Sequence, residues 1–154
     1  MSYIDNHLLP GEVVSYRTRL HWNIFVIPVL VSLAMAALAL WAISAERRVL
    51  AIPPVAIALI LLAAAWLRRR SSEFAVTNKR VIIKLGVVTT RSMELLLPKI
   101  EGITVTQSLV GRMFGFGEIV VTGSGGTQEP FDDIQSPLDF RQAVQAATDG
   151  SARG

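Results

Sequence analysis

Few residues of this chain have side chains that could take part in chemistry, and those few are scattered. The 154-residue sequence has no cysteine, so thiol nucleophiles, thiolate metal sites and disulfides are excluded. His7 and His21 are far in sequence from the acidic pair Asp132 and Asp133, and no Ser-His-Asp set is visible. We predict no catalytic residues, no metal site and no cofactor. His21 is expected at the edge of an apolar segment. The aspartate pair is expected in a solvated loop, with cation binding or acid–base work as the alternative.

Two glycine-rich stretches are the remaining candidates for a binding loop. Gly111, Gly115 and Gly117 have a spacing that invites a nucleotide-loop interpretation. That interpretation needs a helix after the loop, and here a strand pattern follows, so we predict a tight turn. The second stretch, 123–126, could bind an anion through its backbone N–H groups. A plain hairpin loop is the simpler interpretation.

Basic residues form the one cluster for which a physical role can be argued. Residues 68–91 contain seven basic residues and one acidic residue, whereas residues 92–154 contain four basic and eight acidic residues. A basic side chain near an anionic bilayer contributes about 1 kcal/mol, so we predict contact with anionic lipid headgroups. The candidate contacts are Arg68, Arg69, Arg70, Lys79, Arg80 and Lys84. For the arginine triplet, the alternative is that it only sets membrane topology. Nucleic acid is not a predicted partner, because interleaved aromatic residues are missing.

Two apolar runs precede and position this cluster. Residues 22–43 and 49–67 carry no formal charge, and the chain as a whole is 51% hydrophobic. About 20 helical residues cross a hydrocarbon core, so each run predicts a transmembrane helix. Only residues 44–48 separate the runs, which predicts an antiparallel hairpin with both chain ends on one side of the membrane. Burial of both runs inside a soluble protein is disfavoured, because so short a chain has too little partner surface to cover them.

The flanking charges predict which side that is. Five arginines flank the outer ends of the two runs, and two lie in the link. Basic residues favour the cytoplasmic side, so both termini are predicted to be cytoplasmic. Within the runs, Asn23 and Ser32 are the only polar side chains, which argues against an ion or proton path. Small-residue faces at Ala34 and Ala37 with Ser32, or at 63–65, could support homo-oligomerisation.

The period of the sequence changes from helical to twofold after Ser72, which predicts a β-rich domain over residues 68–148. We count six strands there, followed by a helix that begins near Ser136 and Pro137 and presents an apolar stripe. Residues 149–154 are expected to form a frayed tail. Consecutive strands closed by one amphipathic helix favour a small antiparallel barrel.

Four segments of this region, in order, resemble bacterial pleckstrin-homology (PH) domains. They are Phe74–Gly86, Leu97–Ser108, Gly111–Gly117 with the following Glu-Ile-Val-Val, and Ile134–Pro137 with Phe140–Val144. The paired helices before them resemble the membrane-anchored branch of that family. The resemblance implies an α+β protein: a transmembrane hairpin in the bacterial cytoplasmic (inner) membrane and a PH-like barrel of about seven strands with a C-terminal helix.

The seventh strand must come from elsewhere in the chain. Within residues 1–21, expected to be a cytoplasmic segment, residues 12–20 alternate in polarity as a strand does. Because both termini lie on one side of the hairpin, we predict that 12–20 adds an edge strand to the barrel. The resulting functional hypothesis is a non-enzymatic membrane-anchored module that binds a protein partner, anionic lipid or a second copy. The alternative is an accessory subunit of a membrane enzyme or transporter complex.

Overall fold

A computed structural model describes residues 4–86 and 91–151 of the chain. The chain divides into two compact units. The hairpin unit is Trp22–Arg70, and the sheet unit combines the residues before it with those after it, up to His21 and from Ser71.

The hairpin unit consists of two helices, each entered through a turn of 3-10 helix. Helix α1 is Val26–Ser44 after the turn Trp22–Phe25, and helix α2 is Ile52–Ser71 after the turn Arg48–Ala51. Both have the length and composition of membrane spans, as the sequence predicted. Helix α2 runs past the predicted end at residue 67, because arginine side chains are favourable in the last turn of a helix.

Small side chains lie between the two helical segments of the hairpin. Ala39, Ala42 and Ala51 form a buried cluster, and the Ser32 hydroxyl donates to the Ala58 carbonyl at 3.4 Å. The Ser32 hydroxyl therefore makes a hydrogen bond between the two helices of one chain. Ala34 and Ala37 are exposed, and their role in oligomerisation stays a prediction.

The sheet unit contains seven strands among its described residues. The first lies before the hairpin unit, and the other six follow it. They are β1 Val14–Thr18, β2 Glu73–Thr77, β3 Arg80–Leu85, β4 Arg91–Leu96, β5 Ile100–Thr106, β6 Phe116–Gly123 and β7 Gln128–Gln135. A six-residue helix, α3 Leu109–Phe114, lies between β5 and β6, and helix α4 Pro137–Ser151 follows β7. Helix α4 extends three residues into the segment expected to be a frayed tail; residues 152–154 lie outside the described residues.

The strands form two antiparallel sheets, with orders β1-β2-β3-β4 and β5-β6-β7. The α+β class and the strand number agree with the sequence-based prediction, but the closed barrel is wrong for the described residues. A 3-10 turn at Leu97–Lys99 separates β4 from β5, and Pro98 in that turn has no N–H to donate to a ladder. The sheets meet at one corner through an isolated bridge between Leu20 and Ile134.

Strand β1 pairs with β2 in the position where an edge strand was expected. Arg17 lies opposite Ala75 and Thr18 opposite Phe74, with a bulge between Val14 and Tyr16. The first two strands of one sheet are thus separated in sequence by the whole hairpin unit.

Helix α4 packs against strands of both sheets and closes the core. Phe140 and Val144 of this helix are buried, and the Phe140 ring meets Tyr16 of β1 edge to face at 6.4 Å between centroids. Phe74 and Phe131, from different sheets, make a second edge-to-face pair at 6.0 Å. The core therefore lies between the two sheets. Helix α4 covers the opening that remains because the sheets do not close into a barrel.

Candidate functional site

Arg80, the first residue of β3, lies inside the sheet unit and is only 8% exposed. Its Nε donates to Glu12 Oε1 at 2.9 Å, and its Nη2 donates to Glu12 Oε2 at 3.0 Å and to the His7 carbonyl at 2.8 Å. Its Nη1 pairs with Glu94. This bidentate pairing encloses the guanidinium, so its position gives no support to the predicted lipid contact.

Glu12 is the centre of a small hydrogen-bond network. Besides Arg80, its carboxylate accepts the Thr77 hydroxyl at 2.8 Å and the Leu9 N–H at 2.7 Å. Burial raises the pKa of Glu12, but the hydrogen bonds from Arg80, the Leu9 N–H and Thr77 outweigh burial, so the pKa lies below its usual value. The carboxylate is therefore charged at neutral pH and neutralises the buried guanidinium.

This network fastens the segment before β1, residues 4–13, to the turn between β2 and β3. Asn78 Oδ1 accepts the Val13 N–H at 2.9 Å, and Asn78 Nδ2 donates to the Gly11 carbonyl at 3.1 Å. Ile4 then packs on the outer face of the sheet against Ala75 and Ile82. The sequence did not predict that residues 4–13 cover the outer face of this sheet. Its signal was the unbroken apolar run 81–83, which is typical of a strand buried on both faces.

The remaining basic candidates do not converge on one site within the sheet unit. Lys79 is exposed and its Nζ donates to the Pro10 carbonyl at 2.8 Å. Lys84 is half-buried and lies four residues after Arg80 along β3, roughly 13 Å from it at strand spacing. Lipid contact by these two lysines stays a prediction.

The arginine triplet ends helix α2 in the hairpin unit. The Arg70 guanidinium carbon lies 5.6 Å from the centroid of the Trp66 ring, a cation–π distance. Arg68 is exposed and Arg69 is half-buried. A tryptophan and arginines at one end of an apolar helix are typical of a membrane interface.

His21 lies directly before the first apolar helix, as expected, and its side chain is buried in the sheet unit. Its ring stacks on Phe116 with 4.9 Å between centroids and 21° between planes, and the backbone N–H of His21 donates to the Asp133 carbonyl at 2.7 Å. The aspartate pair lies within β7 and not in the expected loop; Asp132 is exposed, and Asp133 is half-buried with a φ of 56°. No group of three His, Asp or Glu residues that could hold a metal is found in residues 4–86 and 91–151.

The first glycine stretch forms a short helix and not the expected tight turn. Ser108 caps the start of α3 by accepting the Gly111 N–H at 3.0 Å, and Gly115 ends the helix with a φ of 76°. A Cβ on Gly111 would meet the Phe116 carbonyl oxygen at 2.5 Å, so this position needs glycine for close packing. A serine before the segment and a glycine after it were the capping signals that could have revealed the helix.

Helix α3 carries four exposed apolar side chains, which we name the α3 ridge. Its members are Leu109, Val110, Met113 and Phe114, which are 80%, 54%, 81% and 52% exposed. The sequence did not predict this surface, because the segment was expected to form a tight turn in which these side chains would pack against the protein.

A family model described as a bacterial PH domain matches residues 22–148. The chain belongs to this family. The resemblance noted in the sequence is thereby confirmed.

Solved structures and curated proteins add little to this assignment. The crystal structure of a DUF1696 family protein with a pleckstrin-homology domain from Shewanella loihica has 16% sequence identity and a TM-score of 0.42. The similarity covers 53% of this chain and 74% of that chain. A comparison with curated proteins produced no match.

The match to the bacterial PH domain family begins at Trp22, so it includes the hairpin unit and leaves β1 outside. The structure nevertheless pairs β1 with β2. In this member of the family, the residues that precede the matched region complete the first sheet.

Proposed function

We propose that this bacterial PH domain protein is a non-enzymatic binding module anchored in the cytoplasmic membrane by its hairpin. The observation that carries the proposal is the exposure of the two helices. Only 6% of the most apolar window of the first helix and 17% of that of the second are buried in the protein. Water would oppose such exposure, whereas a bilayer accommodates apolar helices whose backbone groups are bonded internally.

The proposed orientation has both termini in the cytoplasm, on the strength of five arginines outside the spans against two in the link. Because the chain has no cysteine, single cysteines test it directly. Ala45→Cys lies in the link, and Ser124→Cys lies in the exposed loop between β6 and β7. In intact spheroplasts, a membrane-impermeant maleimide should label Ala45→Cys and should label Ser124→Cys only after permeabilisation. The reverse pattern would invert the topology, and equal accessibility of the two cysteines before permeabilisation, with both or neither labelled, would refute the anchor.

The ligand that we propose first is a protein in the membrane or cytoplasm. The hairpin already supplies membrane attachment, so the sheet unit does not need lipid affinity to reach the bilayer. PH-like folds serve many binding roles, and the fold alone names none of them. Crosslinking in native membranes followed by mass spectrometry tests this part. A reproducible partner other than the chain itself supports it, and recovery of the monomer alone contradicts it.

Anionic lipid is the second proposed ligand, supported by the arginine triplet next to Trp66 at the end of α2. The test is native mass spectrometry of the full chain with phosphatidylglycerol or phosphatidylcholine. Replacing Arg68, Arg69 and Arg70 with Gln should reduce retained phosphatidylglycerol. Replacing Arg47 and Arg48 with Gln is the matched control, because those arginines lie in the link. Equal retention by the triplet variant and the wild type would remove the lipid proposal.

A further inference from the structure

The α3 ridge is the largest concentration of exposed apolar side chains in the described part of the sheet unit. Four of the six residues of α3 are large and apolar, and each is more than half exposed. They occupy positions i, i+1, i+4 and i+5, which share one side of a helix. Gly111 lies on the opposite, buried side against the Phe116 backbone. Contiguous apolar surface of this kind commonly marks a contact with a membrane or a protein.

The ridge is held in a defined shape by its own backbone. Ser108 caps one end, and the Gly115 N–H donates to the Gly111 carbonyl at the other end. Gln107 Nε2 donates to the Phe116 carbonyl at 3.0 Å, and the Ser136 N–H donates to the Gly115 carbonyl at 2.8 Å. The residues that flank the helix are thus bonded to the first residue of β6 and to the residue that follows β7. These hydrogen bonds fix the orientation of the helix, with Gly111 toward the protein and the apolar side chains toward the outside.

The position of the ridge within the sheet unit points to its occupant. Phe116, two residues after the ridge, stacks on His21. His21 is the last residue of the sheet unit before the chain continues into Trp22 and the first apolar helix. The ridge therefore lies at the end of the sheet unit from which the chain departs toward the proposed membrane span.

The charge of the segment also suits a bilayer surface. Between residues 107 and 117 the one charged residue is Arg112, which is exposed, and there is no acidic residue. An arginine beside apolar side chains can bury its stem and keep its guanidinium among anionic phosphates. Apolar side chains on one side of a helix, with a basic residue beside them, suit the boundary between lipid headgroups and acyl chains.

We propose that the α3 ridge inserts into the interfacial layer of the same bilayer that the hairpin spans, and so fixes the orientation of the sheet unit on the membrane. This proposal rests on the proposed anchoring function. The side chains of Leu109 and Met113, the most exposed members, would enter the boundary between headgroups and acyl chains, about 5–10 Å deep. Arg112 would remain at the level of the phosphates.

Single-cysteine labelling with an environment-sensitive NBD fluorophore tests the proposal in the full chain, because no native cysteine competes. The protein is reconstituted at one copy per nanodisc, with phosphatidylglycerol and phosphatidylcholine, with or without doxyl-labelled lipid. The ridge probe is Met113→Cys. The negative control is Ser124→Cys, which is exposed just beyond the far end of β6, a strand whose ends at Phe116 and Gly123 are roughly 23 Å apart. The span control is Leu33→Cys, an exposed position in the middle of the first span.

Insertion predicts that shallow doxyl lipid lowers the emission of the Met113→Cys probe at least about twofold, as expected for a side chain at the acyl boundary. The Ser124→Cys probe should be unchanged, and the Leu33→Cys probe should be lowered by deep doxyl lipid. Quenching at Leu33→Cys without quenching at Met113→Cys would overturn the ridge proposal and leave the anchor intact. No quenching at Leu33→Cys would overturn the anchor and the ridge proposal together. A blue-shifted but unquenched Met113→Cys probe would assign the ridge to a protein surface and overturn insertion.

Discussion

The hairpin unit and the sheet unit treat their apolar side chains in opposite ways. In the hairpin, large residues such as Leu33, Leu40 and Ile60 are more than 60% exposed. In the sheet unit, Phe74, Ile119 and Phe140 are fully buried. Because burial of apolar surface drives folding in water, the sheet unit has the architecture of a water-soluble fold. The hairpin satisfies its backbone groups within its helices and leaves most of its large apolar side chains exposed, as the proposed membrane anchor requires.

The α3 ridge belongs to the sheet unit but has the exposure of the hairpin. Leu109 and Met113 are each at least 80% exposed, as much as any large apolar residue of the two helices. The difference between the units is therefore a difference in the exposure of apolar side chains. The α3 ridge is the part of the sheet unit where that exposure matches the hairpin. Substitutions in one unit at a time should therefore have different effects on stability.

The largest effect is expected from emptying the sheet core. Phe74→Ala removes a ring that is fully buried and packed edge to face on Phe131, so it should destabilise the sheet unit by about 3–5 kcal/mol. Leu33→Ala in the hairpin is the matched control and should leave the sheet unit unchanged. Pulse proteolysis of the full chain in detergent across a urea series measures both. Equal losses of stability from the two variants would contradict the difference in burial between Phe74 and Leu33.

A somewhat smaller loss is expected from the buried ion pair. Glu12→Gln keeps the shape of the side chain but leaves Arg80 with a neutral partner, which should cost roughly 3 kcal/mol or somewhat less, because Glu94 still pairs with Arg80. The control is Asp5→Asn, which breaks the Asp5–Arg17 pair; both side chains are exposed to solvent, so the loss of stability should be much smaller than for Glu12→Gln. The same urea series compares them. If the two losses are alike, the network around Glu12 does not hold the segment 4–13 in place.

The ionisation of Glu12 should contribute to the pH dependence of the unfolding free energy. Its folded pKa lies below its unfolded pKa, so the folded state favours the charged carboxylate. The associated stabilisation is fully present above the unfolded pKa of about 4.5 and is lost as pH falls through the folded value. The difference in unfolding free energy between wild type and Glu12→Gln should therefore shrink steadily below about pH 4.5. A difference that stays constant from pH 7 to pH 3 would contradict the lowered pKa.

Sequence reasoning succeeded where a single local pattern determines an element. The uncharged runs predicted the two long helices, and alternation at 12–20 indicated a strand where β1 forms. It failed where distant segments decide the outcome. Barrel closure depends on whether β4 and β5 pair across the Pro98 turn. The role of Arg80 depends on Glu12, which is 68 positions away in the sequence.

The candidate site shows the same limit. The six basic residues form one cluster in the sequence, but the structure divides them between two units and encloses Arg80. The α3 ridge was missed for a related reason: six residues are too few for a helical period to be recognised. Only its capping residues carry a local signal. Exposure of apolar side chains is a property of the folded surface and has no signature in a sequence read alone.

The smallest effect is expected from the ridge itself. Leu109→Ser with Met113→Ser removes two apolar side chains that are already exposed, so the stability of the sheet unit in detergent should change by less than about 0.5 kcal/mol per substitution. Phe74→Ala provides the scale for a loss of core packing in the same assay. A ridge variant that unfolds like the core variant would mean that these side chains pack against the protein. A neutral variant would show that the ridge does not contribute to folding, as expected of a surface retained for contact with another medium.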